Sequence, residues 1–199
     1  MRLNFFVLAQ GAEFMRMPDR RNMIHNLISL GFIGLMCFVL VAARKVAPVK
    51  GAPVASDQEF ATKAATGGML EVKLGELAAA KGSNPAVREF GQRMVKDHSK
   101  ANDELKSLAT QASVSLPTAL SRSEQTTYDR LSKLSGADFD KAYANDMVSD
   151  HEHDVAEFKQ ESTMGQNETL KSFAMRTLPT LQSHLDQARE MLKSVQTAG

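Results

Sequence analysis

A five-residue phrase occurs twice in this chain, and its recurrence limits the fold more than any other feature. Met94-Val95-Lys96-Asp97-His98 returns 53 residues later as Met147-Val148-Ser149-Asp150-His151. An aromatic stands one helical turn before each copy, Phe90 and Tyr143. An acid and a bulky apolar residue follow each at the same distance, Glu104-Leu105 and Glu157-Phe158. A spacing of four from aromatic to methionine to histidine puts all three on one face of an α-helix. One helix design used twice is the expectation. Its histidine is either a polar contact in the core or part of a metal site.

Helical periodicity extends the same conclusion along the chain. Ser56 and Glu59 read as a capping box for a helix from about Asp57 to Lys81, with Phe60, Ala64, Gly67, Leu70, Leu74 and Leu77 near one face and Gly82 as its stop. Asn84 and Pro85 open a second helix to about Ala112. A short helix follows from about Ser121 to Leu134, opened by Ser121 with Glu124. A third long helix runs from about Ala137 to Met164, and a fourth, beyond Gly165 and Asn167, runs to about Ser194. Pro179 lies inside this last helix and predicts a kink. No strand-like alternation competes. The expected fold is all-α, an antiparallel four-helix bundle with an extra short helix between the second and third long helices.

The segment before the bundle has a different character. Arg16, Arg20 and Arg21 precede an uncharged run from Leu27 to Ala43, the layout of a secretory signal peptide or an N-terminal membrane anchor. Val41-Ala42-Ala43 suits cleavage, whereas Arg44, Lys45 and Lys50 beyond it favour retention. The stretch Met1 to Phe14 carries a second apolar patch, and Met15, Met17 or Met23 are alternative starts. Pro48, Gly51 and Pro53 mark an extended tether. The expected organisation is a positively charged tail over 1–23, a signal or anchor over 24–43, a linker over 44–55 and the bundle over 56–195.

Charge and cysteine content exclude some functions. With 24 basic and 23 acidic residues the net charge is +1, so no nucleic-acid-binding field is expected. The single Cys37 leaves no intrachain disulfide. Leu35-Met36-Cys37 resembles a lipoprotein box, except that Met36 is larger than the small residue such a box needs. Neither a Gly-x-Ser-x-Gly turn nor a phosphate-cradling glycine loop occurs. Thr66-Gly67-Gly68-Met69 falls within a helix, where it is expected to allow close helix packing.

Each long helix offers one ligand-type residue on or beside its apolar stripe: Glu71, His98, His151 and His184. Bundle metal sites are built from such inward side chains on facing helices. Three imidazoles and a carboxylate suit zinc, iron or copper, and thioethers from Met94 and Met147 would tilt the set towards Cu(I). Against this stand core packing for the methionines and a buried polar network for the histidines, with Asp97 and Asp150 as available partners. His153 and His25 are weaker candidates, one on the expected solvent side and the other ahead of the apolar run.

Several clusters together carry a family resemblance. They are Phe60-Ala61 with Gly67-Gly68-Met69-Leu70-Glu71, Leu74-Gly75 and Ala78; Asn84-Pro85-Ala86-Val87 with Phe90 and the first phrase; Leu134-Ser135-Gly136 with Phe139-Asp140 and Tyr143; the second phrase; and Leu178-Pro179 with His184-Leu185. Residues Gln58 to Leu192 resemble an uncharacterised bacterial family of exported, ferritin-like helical proteins, described as outer-membrane or periplasmic proteins of unknown function. The resemblance implies a ferritin-like bundle outside the cytoplasm and brings no established activity. Di-iron members of the wider fold use Glu-x-x-His pairs. Here Val95, Val148 and Leu181 stand where those glutamates would be, which argues against carboxylate-bridged di-iron chemistry.

The first functional expectation is a non-enzymatic, exported cell-envelope protein, in a binding or stress-related role, with a metal ion in the bundle core. One alternative is a mononuclear metal-dependent redox enzyme acting on oxygen or peroxide. The other is a tethered interaction module with structural histidines. A protein partner or homo-oligomer is compatible with each, and Leu27 to Ala43 supplies the membrane contact if it is not cleaved.

Overall fold

The computed structural model describes residues 55–197. The expected tail, the apolar run with Cys37, His25 and the linker up to Val54 lie outside the described residues. The described residues are helical, in the order α1 (Ala55–Lys81), α2 (Pro85–Ala112), α3 (Arg122–Ser132), α4 (Gly136–Met164) and α5 (Glu168–Thr197). None of these helices is long and apolar enough to cross a membrane.

Local chemistry fixes most of the helix ends. Asn84 accepts the Ala86 N–H at 2.9 Å, and Pro85 occupies the first turn, where its missing N–H costs nothing. Asp140 of α4 reinforces this start by accepting from the Ser83 and Asn84 N–H groups at 3.0 and 2.7 Å. Ser121 and Glu124 form the expected reciprocal capping box. Asn167 accepts from Thr169 and Leu170 to open α5. The first helix departs from expectation, because it begins at Ala55 and Ser56 falls within it rather than ahead of it. α5 continues through Pro179. The carbonyl released by the missing proline N–H belongs to Met175, whose side chain is 58% exposed, so that end of the turn faces water.

Side-chain pairs set the directions of the helices. Along α1 and α2, Gly75 meets Gly91 and Glu71 meets His98. Along α2 and α5, Asn84, Arg93 and Glu104 meet Ser194, Ser183 and Arg176 in turn. Along α1 and α4, Lys63 meets Glu157 and Glu71 meets His151. In every pair one number rises as the other falls, so these neighbours are antiparallel. It follows that α2 and α4 run in the same direction, and the segment joining them must return along the bundle. That segment begins at Ser115, whose N–H and C=O both bond to Gln58, and reaches Lys81, which donates to the carbonyls of Leu131, Ser132 and Leu134.

α1 and α2 come into backbone contact at Gly75 and Gly91. A Cβ built on Gly75 would lie 2.7 Å from the Gly91 carbonyl, and one on Gly91 would lie 2.7 Å from Ala78 Cβ. Only glycine permits that backbone contact. Gly67, which the sequence suggested for such packing, faces open space, and Gly68 faces the Asn102 side chain.

The apolar core is divided in two. One cluster contains Leu74, Val87, Phe90, Met94, Phe139, Tyr143 and Met147, and the other contains Phe60, Leu105, Phe158, Leu170, Phe173 and Leu181. The second cluster ends at a buried pair of acids. Asp57 is 1% exposed and accepts the Gln166 N–H at 3.0 Å, while Glu161 is 5% exposed. Burial, followed by the Asp57 charge and a hydrogen bond with it, pushes the Glu161 carboxyl up to about 7.

Candidate metal centre

The layer that separates the two apolar clusters is polar. Glu71 lies on α1 one turn before Gly75, and the close approach there brings it against α2. His98 follows Met94 by one turn, His151 follows Met147 by one turn, and His184 lies between Leu181 and Leu185. These four residues are 0%, 5%, 0% and 1% exposed, in that order. The structure thus brings together all four candidates, one from each long helix. Met94 and Met147 are fully buried in the apolar cluster beside this layer. His153 is exposed.

The three imidazoles form a nearly equilateral set. Their centroids are 5.3 Å apart for His98 and His184, 5.4 Å for His151 and His184, and 5.7 Å for His98 and His151. Each offers one nitrogen, and these nitrogens all lie within 4.8 Å of one another. Glu71 reaches two of the rings, with Oε2 2.7 Å from His98 Nδ1 and Oε1 3.3 Å from His151 Nε2. The second distance is close to the edge of a tetrahedral shell with bonds of about 2.0–2.1 Å.

Hydrogen bonding decides which nitrogens carry lone pairs. His151 Nδ1–H donates to the Met147 carbonyl at 2.9 Å, and His184 Nε2–H donates to Asp97 Oδ2 at 2.9 Å. That leaves His151 Nε2 and His184 Nδ1 as acceptors. Both are buried without a hydrogen-bond partner, as are His98 Nε2 and Glu71 Oε1; Glu71 Oε2, at 2.7 Å from His98 Nδ1, is within reach of a proton shared with that ring. A buried polar atom without a partner is costly, of the order of 1–3 kcal/mol. Four such atoms in one layer are difficult to explain by packing. An outward ring N–H tied to a carbonyl or carboxylate, with the other nitrogen free, is the arrangement of metal-ligating histidines.

Electrostatics keep the rings neutral. Desolvation lowers His151 to about 3, aided by the charges of His98 and His184. Desolvation also lowers His184, to about 4, against the opposing effect of its hydrogen bond to Asp97. Burial lowers His98, although Asp154, Asp150 and Asp97 pull it upward. At neutral pH no proton need be displaced from these rings before they bind a cation. Burial pushes the Glu71 carboxyl well above the usual range, and the Asp150 charge adds to this.

Three neighbours were not assigned to the site from sequence. Asp97 was considered beside its own helix neighbour His98, yet it holds His184 on α5, and Arg93 bonds it at 3.2 Å. Burial pushes Asp97 upward, but the hydrogen bonds from His184 and Arg93 hold it below the usual carboxylate range. Asp154, three residues after His151, is pushed well above that range by desolvation and then by the Glu71 and Asp150 charges. The equivalent position in the first phrase is Ala101, so the duplication gave no signal for it. The Tyr143 hydroxyl is also buried without a partner. Desolvation and then the Glu71 charge raise its pKa.

Comparison with known proteins places the fold without supplying a role. The chain is similar to the crystal structure of a DUF305 fragment from Deinococcus radiodurans, with a TM-score of 0.62 and 10% identity, covering 72% of this chain and 99% of that one. At that identity the likeness concerns the fold alone. No curated protein matches. The family pattern described as "Domain of unknown function (DUF4142)" matches residues 42–191, and the chain belongs to that family.

Proposed function

We propose that this protein is an exported, ferritin-like bundle of the cell envelope that binds one transition-metal ion through His98, His151 and His184, with Glu71 as the carboxylate at the same centre. The observation that carries this reading is the set of lone-pair atoms. Three imidazole nitrogens and the Glu71 Oε1 oxygen lie in one buried layer without hydrogen bonds, while two of the rings have their other nitrogens tied. A purely structural histidine network would be expected to use those atoms in pairs.

The parallel run of α2 and α4, with a returning connection through α3, supports a ferritin-like arrangement, in which one long crossover joins two helical hairpins. Export is supported by the charged and apolar segments before the bundle and by a family match that begins at residue 42, where the apolar run ends. Binding is favoured over di-iron oxidation, since Val95, Val148 and Leu181 occupy the positions that would supply bridging glutamates. Three nitrogens and an oxygen suit zinc, iron or copper. Full burial of Met94 and Met147 in the apolar cluster supports a packing role for their thioethers.

The test is a competition titration of the purified protein with each of Zn²⁺, Fe²⁺ and Cu⁺ against a chromophoric chelator. One ion per chain is expected, with loss of binding in His98→Ala and His151→Ala. Affinity that is unchanged in both variants would contradict the assignment.

A further inference from the structure

An open groove of about 360 Å³ runs between α2 and α5 and reaches the histidine layer from outside. His98 and His184 lie in its lining, whereas His151 does not. The His98 side chain is 7% exposed, compared with 0% for His151 and 1% for His184, so His98 is the least enclosed of the three rings, with its Nε2 still buried. Glu71 approaches the layer from α1, which does not line the groove. An ion held by the three rings and Glu71 would therefore have its protein carboxylate on one side and the groove on the other.

The groove is suited to negative charge. Arg93, Lys100 and Arg176 contribute three cations to its lining against the two carboxylates of Asp97 and Glu104. Asp97 pairs with Arg93 and His184, and Glu104 with Arg176 at 2.6 Å, so the surplus positive charge of the lining is that of Lys100. Thr180 adds a hydroxyl donor, whereas the Thr177 hydroxyl is spent on the Phe173 carbonyl. A divalent ion held by neutral imidazoles and one carboxylate keeps a net positive charge, which adds to the same field.

We propose that this groove admits a small anion, an inorganic anion or a simple carboxylate, as an external ligand of the bound metal. The proposal rests on the metal assignment above and adds that the centre is open on its α2–α5 side. A centre that takes an external ligand can exchange or activate small molecules, whereas one with a closed protein shell serves mainly to hold the fold.

Cobalt(II) and azide test this with the full chain. Visible absorption of the cobalt-loaded protein reports whether the ion sits in the donor set, and an azide titration reports whether a further ligand reaches it. A saturable spectral change is expected in the native protein. Thr180→Phe, which fills the groove, and Lys100→Glu, which reverses a charge in its lining, should each weaken azide roughly tenfold while leaving cobalt affinity within about twofold. Normal cobalt bands that azide does not move, or azide affinity unchanged in both variants, would overturn the open groove and leave the metal assignment standing. Absence of cobalt bands in the native protein would overturn both.

Discussion

The layer of Glu71, His98, His151 and His184 and the pair of Asp57 and Glu161 both bury polar atoms between α1 and α4, one within the bundle and the other at its end. They differ in chemistry more than in burial. The end pair joins two acids, and its unpartnered Asp57 Oδ2 and Glu161 Oε1 would be satisfied by one proton held between them, in keeping with the raised Glu161 carboxyl. The histidine layer combines acids with bases, and the outward N–H groups of His151 and His184 are already used. One proton would complete the first arrangement. In the second a proton can serve only the Glu71 and His98 contact, and the proposed metal ion would accept the remaining lone pairs of the three rings.

The largest expected difference between the two regions is in metal affinity. His151→Ala removes a donor nitrogen and should lower affinity by at least about 100-fold, beyond the loss of about 10–100-fold typical of an outer partner. Glu161→Gln should leave affinity within about twofold, since its carboxyl belongs to the other region. Competition titration measures both. An equal loss in the two variants would dissolve the distinction.

Asp97→Asn probes the layer one shell further out. It retains the size of the side chain and weakens the hold on His184, so a loss of about 10–100-fold in metal affinity is expected with the helical circular dichroism preserved. A value equal to the native one would make the His184 to Asp97 bond incidental.

Gly91→Leu acts through the backbone. Its side chain must displace Ala78 or the Gly75 carbonyl, so urea unfolding should show a loss of about 1–3 kcal/mol. The widened gap should also separate Glu71 from His98 and lower metal affinity. Stability lost without any change in affinity would show that the layer does not depend on this contact.

The smallest expected effect is on the pH dependence of the metal-free protein, where Glu161 and the pair of His151 and His184 contribute with opposite signs and the raised Glu71 carboxyl adds to the Glu161 side. Glu161 titrates at about 7 when folded, against an ordinary 4.5, so between these values the folded chain holds the extra proton and stability falls as pH rises. His151 and His184 titrate at about 3 and about 4, against an ordinary 6.5. Below 6.5 the unfolded chain therefore holds the extra protons, and stability falls as pH falls. Glu161→Gln should remove only the first dependence and stabilise the protein above neutral pH by the order of 1 kcal/mol. Urea unfolding across about pH 4 to 8 separates the two slopes. A Glu161→Gln profile parallel to the native one would contradict the shared proton.

Much of this organisation was legible in the sequence because it depends on single helices. Asn84-Pro85 and Ser121 with Glu124 mark helix starts through bonds spanning two or three residues, and a helical stripe determines that Glu71, His98, His151 and His184 point inward. The start at Ala55 was less legible, since nothing between Pro53 and Ser56 stops a helix from beginning one residue earlier. What depends on the rotation of one helix against another was hidden. Asp97 is one residue before His98, which suggests a local partner, yet that position turns it towards α5 and His184. Asp154 lacks a counterpart in the first phrase, where Ala101 stands, so comparison of the two copies could not reveal it. The common direction of α2 and α4 was likewise unreadable, because the segment between them is long enough to end at either end of the bundle.

The most direct test of the central claim is elemental analysis of the protein purified from its own compartment, beside a His98→Ala, His151→Ala double variant prepared in the same way. The account predicts close to one transition-metal ion per chain in the native protein and a background level in the variant. Negligible metal in both, or equal metal in both, would contradict it.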